Sequence, residues 1–166
     1  MAATFQWTIR NGAGATETVL GTSGNLQNFK SVDSAGIVDY AANPVTAGQN
    51  SFECWFRGKW TGTFNRISDL RSWQSAAFSP ATGLQIFFSG QQQIYLTPAS
   101  VTSSIATSSI ATSDPGSANV SIGGNLSGSL TSSGYSDNIV LQLRTTTAAA
   151  AGDTSLATIT LSYTEN

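Results

Sequence analysis

Apolar and polar residues alternate with a period of two at both ends of this chain. Phe5, Trp7 and Ile9 interleave with Thr4, Gln6, Thr8 and Arg10, and Ala157, Ile159, Leu161 and Tyr163 interleave with Thr158, Thr160, Ser162 and Thr164. Successive side chains of an extended strand point to opposite faces, so this pattern predicts strands with one face buried. A third alternation sets Ile139, Leu141 and Leu143 against Val140, Gln142 and Arg144. Shorter runs of β-branched and aromatic residues predict strands over 28–32, 37–41, 51–60, 65–73, 84–89, 92–97 and 118–122. Turn formers punctuate them, at Asn11-Gly12, Asn43-Pro44, Ser89-Gly90, Asp114-Pro115-Gly116 and Gly123-Gly124-Asn125. Helical signals are weak: Ala148–Ala151 stop at Gly152-Asp153 and read as a loop, and 17–27 has room for one short turn. The expectation is a single all-β domain over 1–166. It is an antiparallel β-sandwich, jelly-roll-like or Ig-like, of about nine or ten strands with the terminal ones deep in the sheets.

The stretch SFECWFRGKWTGTFNRISDLRSW, residues 51–73, concentrates aromatic and cationic side chains. In a strand, Phe52, Cys54, Phe56 and Trp60 share one face and read as core. Ser51, Glu53, Trp55, Arg57 and Lys59 share the other. An indole among a carboxylate and two cations has two explanations. Either a neighbouring loop covers Trp55 and Arg57 stacks on it, or the face meets another molecule, since Trp and Arg are enriched at interface hot spots. Trp55, Arg57, Lys59 and Glu53 are therefore the candidate contact residues. Downstream, a β-bulge would let both Ile67 and Leu70 point inward and gather a small ion-pair set around Asp69.

Composition narrows the function. Only 10% of residues are charged, the formal net charge is −2, and 40% are hydrophobic, too many for a disordered chain. Seven basic residues mixed with nine acids give no footprint for nucleic acid. The N-terminal MAATFQWTIR lacks the basic and apolar regions of a signal peptide, and no apolar run is long enough to span a membrane, which predicts synthesis in the cytosol. The Ser-, Thr- and Gly-rich surface nonetheless resembles that of proteins facing the outside. Virion proteins meet both conditions.

Residues 99–136 hold a single charge, Asp114, and a near-repeat, SSIAT at 103–107 and again at 108–112. The segment reads as a long loop, or as an uncharged arm reaching over a neighbouring subunit. Low charge leaves strand edges poorly protected against pairing with another chain.

Catalytic signals are sparse. The chain has no His, which excludes the usual serine triad and the commonest metal ligand. Lys30 and Lys59 lie in no S-x-x-K arrangement, and the acids are scattered singly, although paired carboxylates remain formally available. No D-x-D loop suggests calcium. Gly12-Ala13-Gly14 reads as a hairpin turn. Asn119-Val120-Ser121 and Asn125-Leu126-Ser127 match the glycosylation triplet by chance in a Ser-rich chain. Cys54 is the lone cysteine and reads as an inert core thiol. No cofactor, metal or catalytic residue is expected.

In composition, and in the segments FNRISDLRSW, PATGLQIFF and TITLSYTE, the chain resembles capsid cement or decoration proteins of tailed bacteriophages. The resemblance implies a non-enzymatic virion structural protein. It would be a homo-oligomer, with a trimer favoured, seated on the outer capsid surface and bridging major capsid proteins. The alternatives are a carbohydrate-binding sandwich of a tail fibre, with Trp55, Tyr95 or Tyr135 as sugar platform, and a tail or collar component.

Overall fold

The computed structural model describes residues 2–12, 17–20, 27–35, 42–152 and 154–166. The predicted strand over 37–41 lies outside these residues, as does part of the Gly12-Ala13-Gly14 turn. The fold is all-β and antiparallel, a sandwich of two sheets. Its strands among the described residues are β1 (Thr4–Ile9), β2 (Thr18–Val19), β3 (Cys54–Thr61), β4 (Ile67–Ala76), β5 (Leu84–Gln92), β6 (Ser108–Ser109), β7 (Gly134–Tyr135), β8 (Asn138–Thr145) and β9 (Thr158–Glu165). The larger sheet runs β2-β1-β3-β8-β5-β6 with β7 paired to β3, and β4 pairs with β9 in the smaller one.

The core follows from the period-2 faces. Cys54 and Trp60 of β3, Ile86 of β5, and Ile139, Leu141 and Leu143 of β8 project from the larger sheet. They meet Ile67 and Leu70 of β4 and Ile159, Leu161 and Tyr163 of β9. Aromatic rings join the two sheets through Tyr163 of β9, which lies 5.3 Å from Trp60 and 5.9 Å from Phe5, while Trp7 and Phe56 meet at 6.0 Å within the larger sheet. Gly58 makes this possible, because a Cβ there would sit 2.5 Å from the Trp60 ring. Phe52, expected beside them, lies before β3 begins and is only half-buried.

β8 is buried on both faces over its first residues, Asn138 to Leu143, which simple alternation did not predict. The reason is a further layer without long strands, the chain between β5 and β8. It first crosses the outer face of the larger sheet, burying Ala106 against Trp55 and Val140. It rounds the β5 edge as β6 and places Ile110 in the main core. It then closes the side of the sandwich, since Gln74 N–H bonds Ala111 C=O while Ile110 N–H bonds Ile86 C=O. Residues 99–136 are thus folded onto their own sheets and do not form an extended arm. The repeated SSIAT has two separate jobs, one copy on the outer face and one at the sheet edge.

Three strand expectations fail. Residues 28–32 and most of 92–97 carry no strand, and 118–122 contributes only the isolated Ile122 bridge. Phe29, Tyr95, Val120 and Ile122 pack against the cores, but the backbones of these segments bond loops and side chains in place of a ladder. The bulge near Asp69 is present: register shifts between Ser68 and Arg71, Asp69 has a φ of 54°, and Ile67 and Leu70 are both buried. One of the two terminal strands also differs from expectation. β1 is flanked by β2 and β3, whereas β9 is an edge strand, because the far side of β4 is already occupied by residues 111–130.

Candidate contact surface and interior cavity

The four candidate contact residues separate into two pairs. Trp55 has no accessible surface and Glu53 is 2% exposed, so neither is available at the surface of this chain. Burial comes from residues 95–106: Tyr95 meets the Trp55 indole edge-on at 5.1 Å, with Ile105 and Ala106 beside it. Arg57 does not stack on Trp55. The corrected picture is an internal clip. Trp55 Nε1–H donates to the Glu53 carboxylate at 3.0 Å, and Ala99 N–H donates to the same oxygen at 3.1 Å. Asn11 completes it, accepting from Trp55 N–H at 2.7 Å and donating to Glu53 C=O at 2.6 Å. Asn11 escaped the sequence reading because Asn-Gly signals a turn, and nothing local shows that its amide faces inward.

Arg57 and Lys59 stay on the surface. The Arg57 guanidinium pairs with Glu17 at 2.7 Å, donates to Ser136 C=O at 3.1 Å, and lies 4.1 Å from the centre of the Tyr135 ring. Burial pulls the Arg57 pKa down, and Glu17 opposes it. Lys59 Nζ lies 5.4 Å from the same ring. Tyr135, held on β7 against β3, makes this a cation–aromatic cluster. The ions near Asp69 centre on Arg71, which meets Asp114 at 2.7 Å and Asp69 at 3.4 Å.

A second surface is defined by what fixes it from below. Gln142, fully buried, donates to Val101 C=O at 2.6 Å and to Ser51 C=O at 3.0 Å, and accepts from Ser103 N–H at 3.1 Å. Arg144 spans the Phe87 ring at 3.7 Å and donates to Ala106 C=O at 2.9 Å. Glu53 and Gln142 therefore hold the outer loop by its backbone. While Tyr95 and Ile105 face inward, three other apolar side chains point the other way: Ile94 is 70% and Val101 69% exposed, and Leu96 is exposed beside them in sequence. Alternation alone would have buried these residues.

Between the sheets lies a largely apolar cleft of about 880 Å³, open to solvent beside the exposed Leu156 and lined by Phe29, Phe78, Leu84, Leu143 and Ile159 among others. Near its wall Lys30 and Cys54 are both buried. Burial lowers the Lys30 pKa, against the pull of Cys54 and Asp33, and pushes the Cys54 thiol up to about 12. A neutral thiol at this depth is a poor nucleophile. Among the described residues no three His, Cys, Asp or Glu side chains gather as metal ligands do, and no helix is long and apolar enough to cross a membrane.

No protein-family model, curated protein or solved structure matches the chain.

Proposed function

We propose that this chain is a non-enzymatic structural protein of a virus particle, a decoration protein that sits on the outer capsid surface and bridges major capsid proteins. One observation supports this above the others. The outer loop is fixed to the sheet by Glu53 and Gln142 while Ile94, Leu96 and Val101 project outward. Ordered backbone beneath exposed apolar side chains is the arrangement of a preorganised contact surface, since the ordering entropy is met in folding and not on binding. The hydroxyl-rich surroundings suit it. Close contact there strands few charges, whose desolvation is costly. Many copies on one particle then turn modest contacts into durable attachment.

The carbohydrate-binding alternative loses its first platform, because Trp55 has no exposed face and Tyr95 is turned edge-on against it. The test uses purified particles of the source virus. The decoration reading expects a copy number comparable with that of the major capsid protein. It also expects the triple variant Ile94→Ser/Leu96→Ser/Val101→Ser to fold but fail to bind particles stripped of this protein. Unchanged binding by that variant, or a copy number typical of tail fibres, overturns it.

A further inference from the structure

We propose that β9 is a self-pairing edge, through which two copies of this chain join their smaller sheets into one continuous sheet across a two-fold axis at Leu161.

The direction of the β9 backbone follows from β4. On its far side, Leu70 C=O accepts from Asn119 and Val120, Ser72 N–H donates to the Asn119 side chain at 2.7 Å, and Gln74 N–H donates to Ala111 C=O at 2.8 Å. Arg71 and Trp73 therefore turn their backbone groups towards β9, where they stand opposite Ser162 and Thr160. In an antiparallel ladder the alternate residues face the other way. The N–H and C=O groups of Ile159, Leu161 and Tyr163 thus point to the open edge, and among the described residues no hydrogen bond reaches them. The opposite side of the sandwich is closed by residues 110–122. Among the described residues, the β9 side has only the Ala3 N–H bond to the Glu165 carboxylate, at 2.7 Å.

The usual protections of a strand edge are missing here. Across the eight residues TITLSYTE there is no Pro, Gly or Lys, and the single charge is at the end. The sequence also fits itself. With the axis at Leu161, Ile159 stands opposite Tyr163 of the second copy, Thr160 opposite Ser162, and Thr158 opposite Thr164. Opposed residues in an antiparallel pair share a face. The apolar face therefore continues across the junction, as does the hydroxyl face. Leu161 pairs with its own equivalent, and every open backbone group of Ile159, Leu161 and Tyr163 finds a partner. Glu165 falls opposite Ala157, so no like charges meet. A strand from an unrelated protein needs none of this symmetry, which is why a second copy is the assigned occupant.

This pairing is independent of the decoration reading, and its test needs no virus. Sedimentation equilibrium of the purified chain over a concentration series should show monomer and dimer, with no trimer. Thr160→Glu/Ser162→Glu puts like charges opposite each other across the axis on the solvent-side face, and should weaken dimerisation at least tenfold while leaving the circular dichroism spectrum unchanged. Thr160→Lys/Ser162→Glu sets opposite charges against each other in the same register and should restore the dimer. A monomer at all concentrations, a trimer, or a dimer indifferent to both variants overturns the proposal.

Discussion

Glu53 shows how far a single residue's role can depart from its type. A carboxylate on the polar side of an aromatic strand suggests solvent or a partner, yet here it ties Trp55 Nε1 and Ala99 N–H together inside the chain. Hydrogen bonds to a charged group contribute more than neutral ones, and a buried donor left without its acceptor adds a penalty. Glu53→Ala should therefore lower unfolding free energy by about 2–4 kcal/mol, read from the midpoint of urea denaturation. Glu53→Gln keeps an acceptor in place and should lose less than half as much. Equal losses for the two would mean that the negative charge, and not an acceptor of the same shape, holds the clip together. Asp69 makes the complementary point, since its φ of 54° lies in the left-handed region. Asp tolerates that region better than branched residues do, and Gly tolerates it best. Asp69→Gly should match or exceed wild-type thermal stability, whereas Asp69→Val should lower it by about 1–2 kcal/mol.

At the level of elements, the sequence was most legible where one face is core and the other is solvent. β1, β9 and the inward side of β8 appear as alternation because Phe5, Ile139 and Leu161 sit over a single core. The bulge was legible too, since Ile67 and Leu70 cannot both face inward on a regular strand. The outer layer was not. Val140 and Gln142 read as a polar-side face because the residues covering them lie more than thirty positions away, and period-2 reasoning carries no information about what returns from that distance. The two SSIAT copies are alike in sequence, yet one covers the outer face and the other reaches the β5 edge. The candidate contact residues separate for the same reason: Arg57 and Lys59 stay at the surface, while Trp55 and Glu53 are covered by residues 95–106. Packing between elements also yields a test. A Cβ at Gly58 would meet Trp60 at 2.5 Å and Leu161 at 3.0 Å, so the indole joining the sheets would have to move. Gly58→Ala should destabilise by about 1–3 kcal/mol, visible as a lower melting temperature and altered near-ultraviolet circular dichroism.

For the whole molecule, the burial that makes the core also sets its response to alkali. The unfolded chain loses the Cys54 proton near pH 9.0, whereas burial holds the native thiol neutral up to about pH 12. Between those values the native state binds the extra proton, so stability falls as pH rises, by up to about 4 kcal/mol over the window. Tyr95 acts in the same direction above pH 10, because burial foremost, and then Asp33, raises its phenol. Lys30 acts oppositely. Burial lowers its native pKa beneath 10.5, so over that interval the unfolded chain holds the extra proton and stability rises with pH. The contributions of Lys30 and Cys54 have opposite signs below pH 10.5, where Lys30 still carries a proton in the unfolded chain. The urea midpoint should therefore fall more steeply above pH 10.5 than below it. Cys54→Ala should flatten the steep limb, whatever its stability at neutral pH. Lys30→Met, which removes the opposing contribution, should make the decline below pH 10.5 steeper. The same burial predicts that iodoacetamide leaves Cys54 unmodified in the native protein at pH 8 and labels it on unfolding in urea. A Cys54→Ala profile parallel to wild type would mean that the thiol reaches water in the folded state.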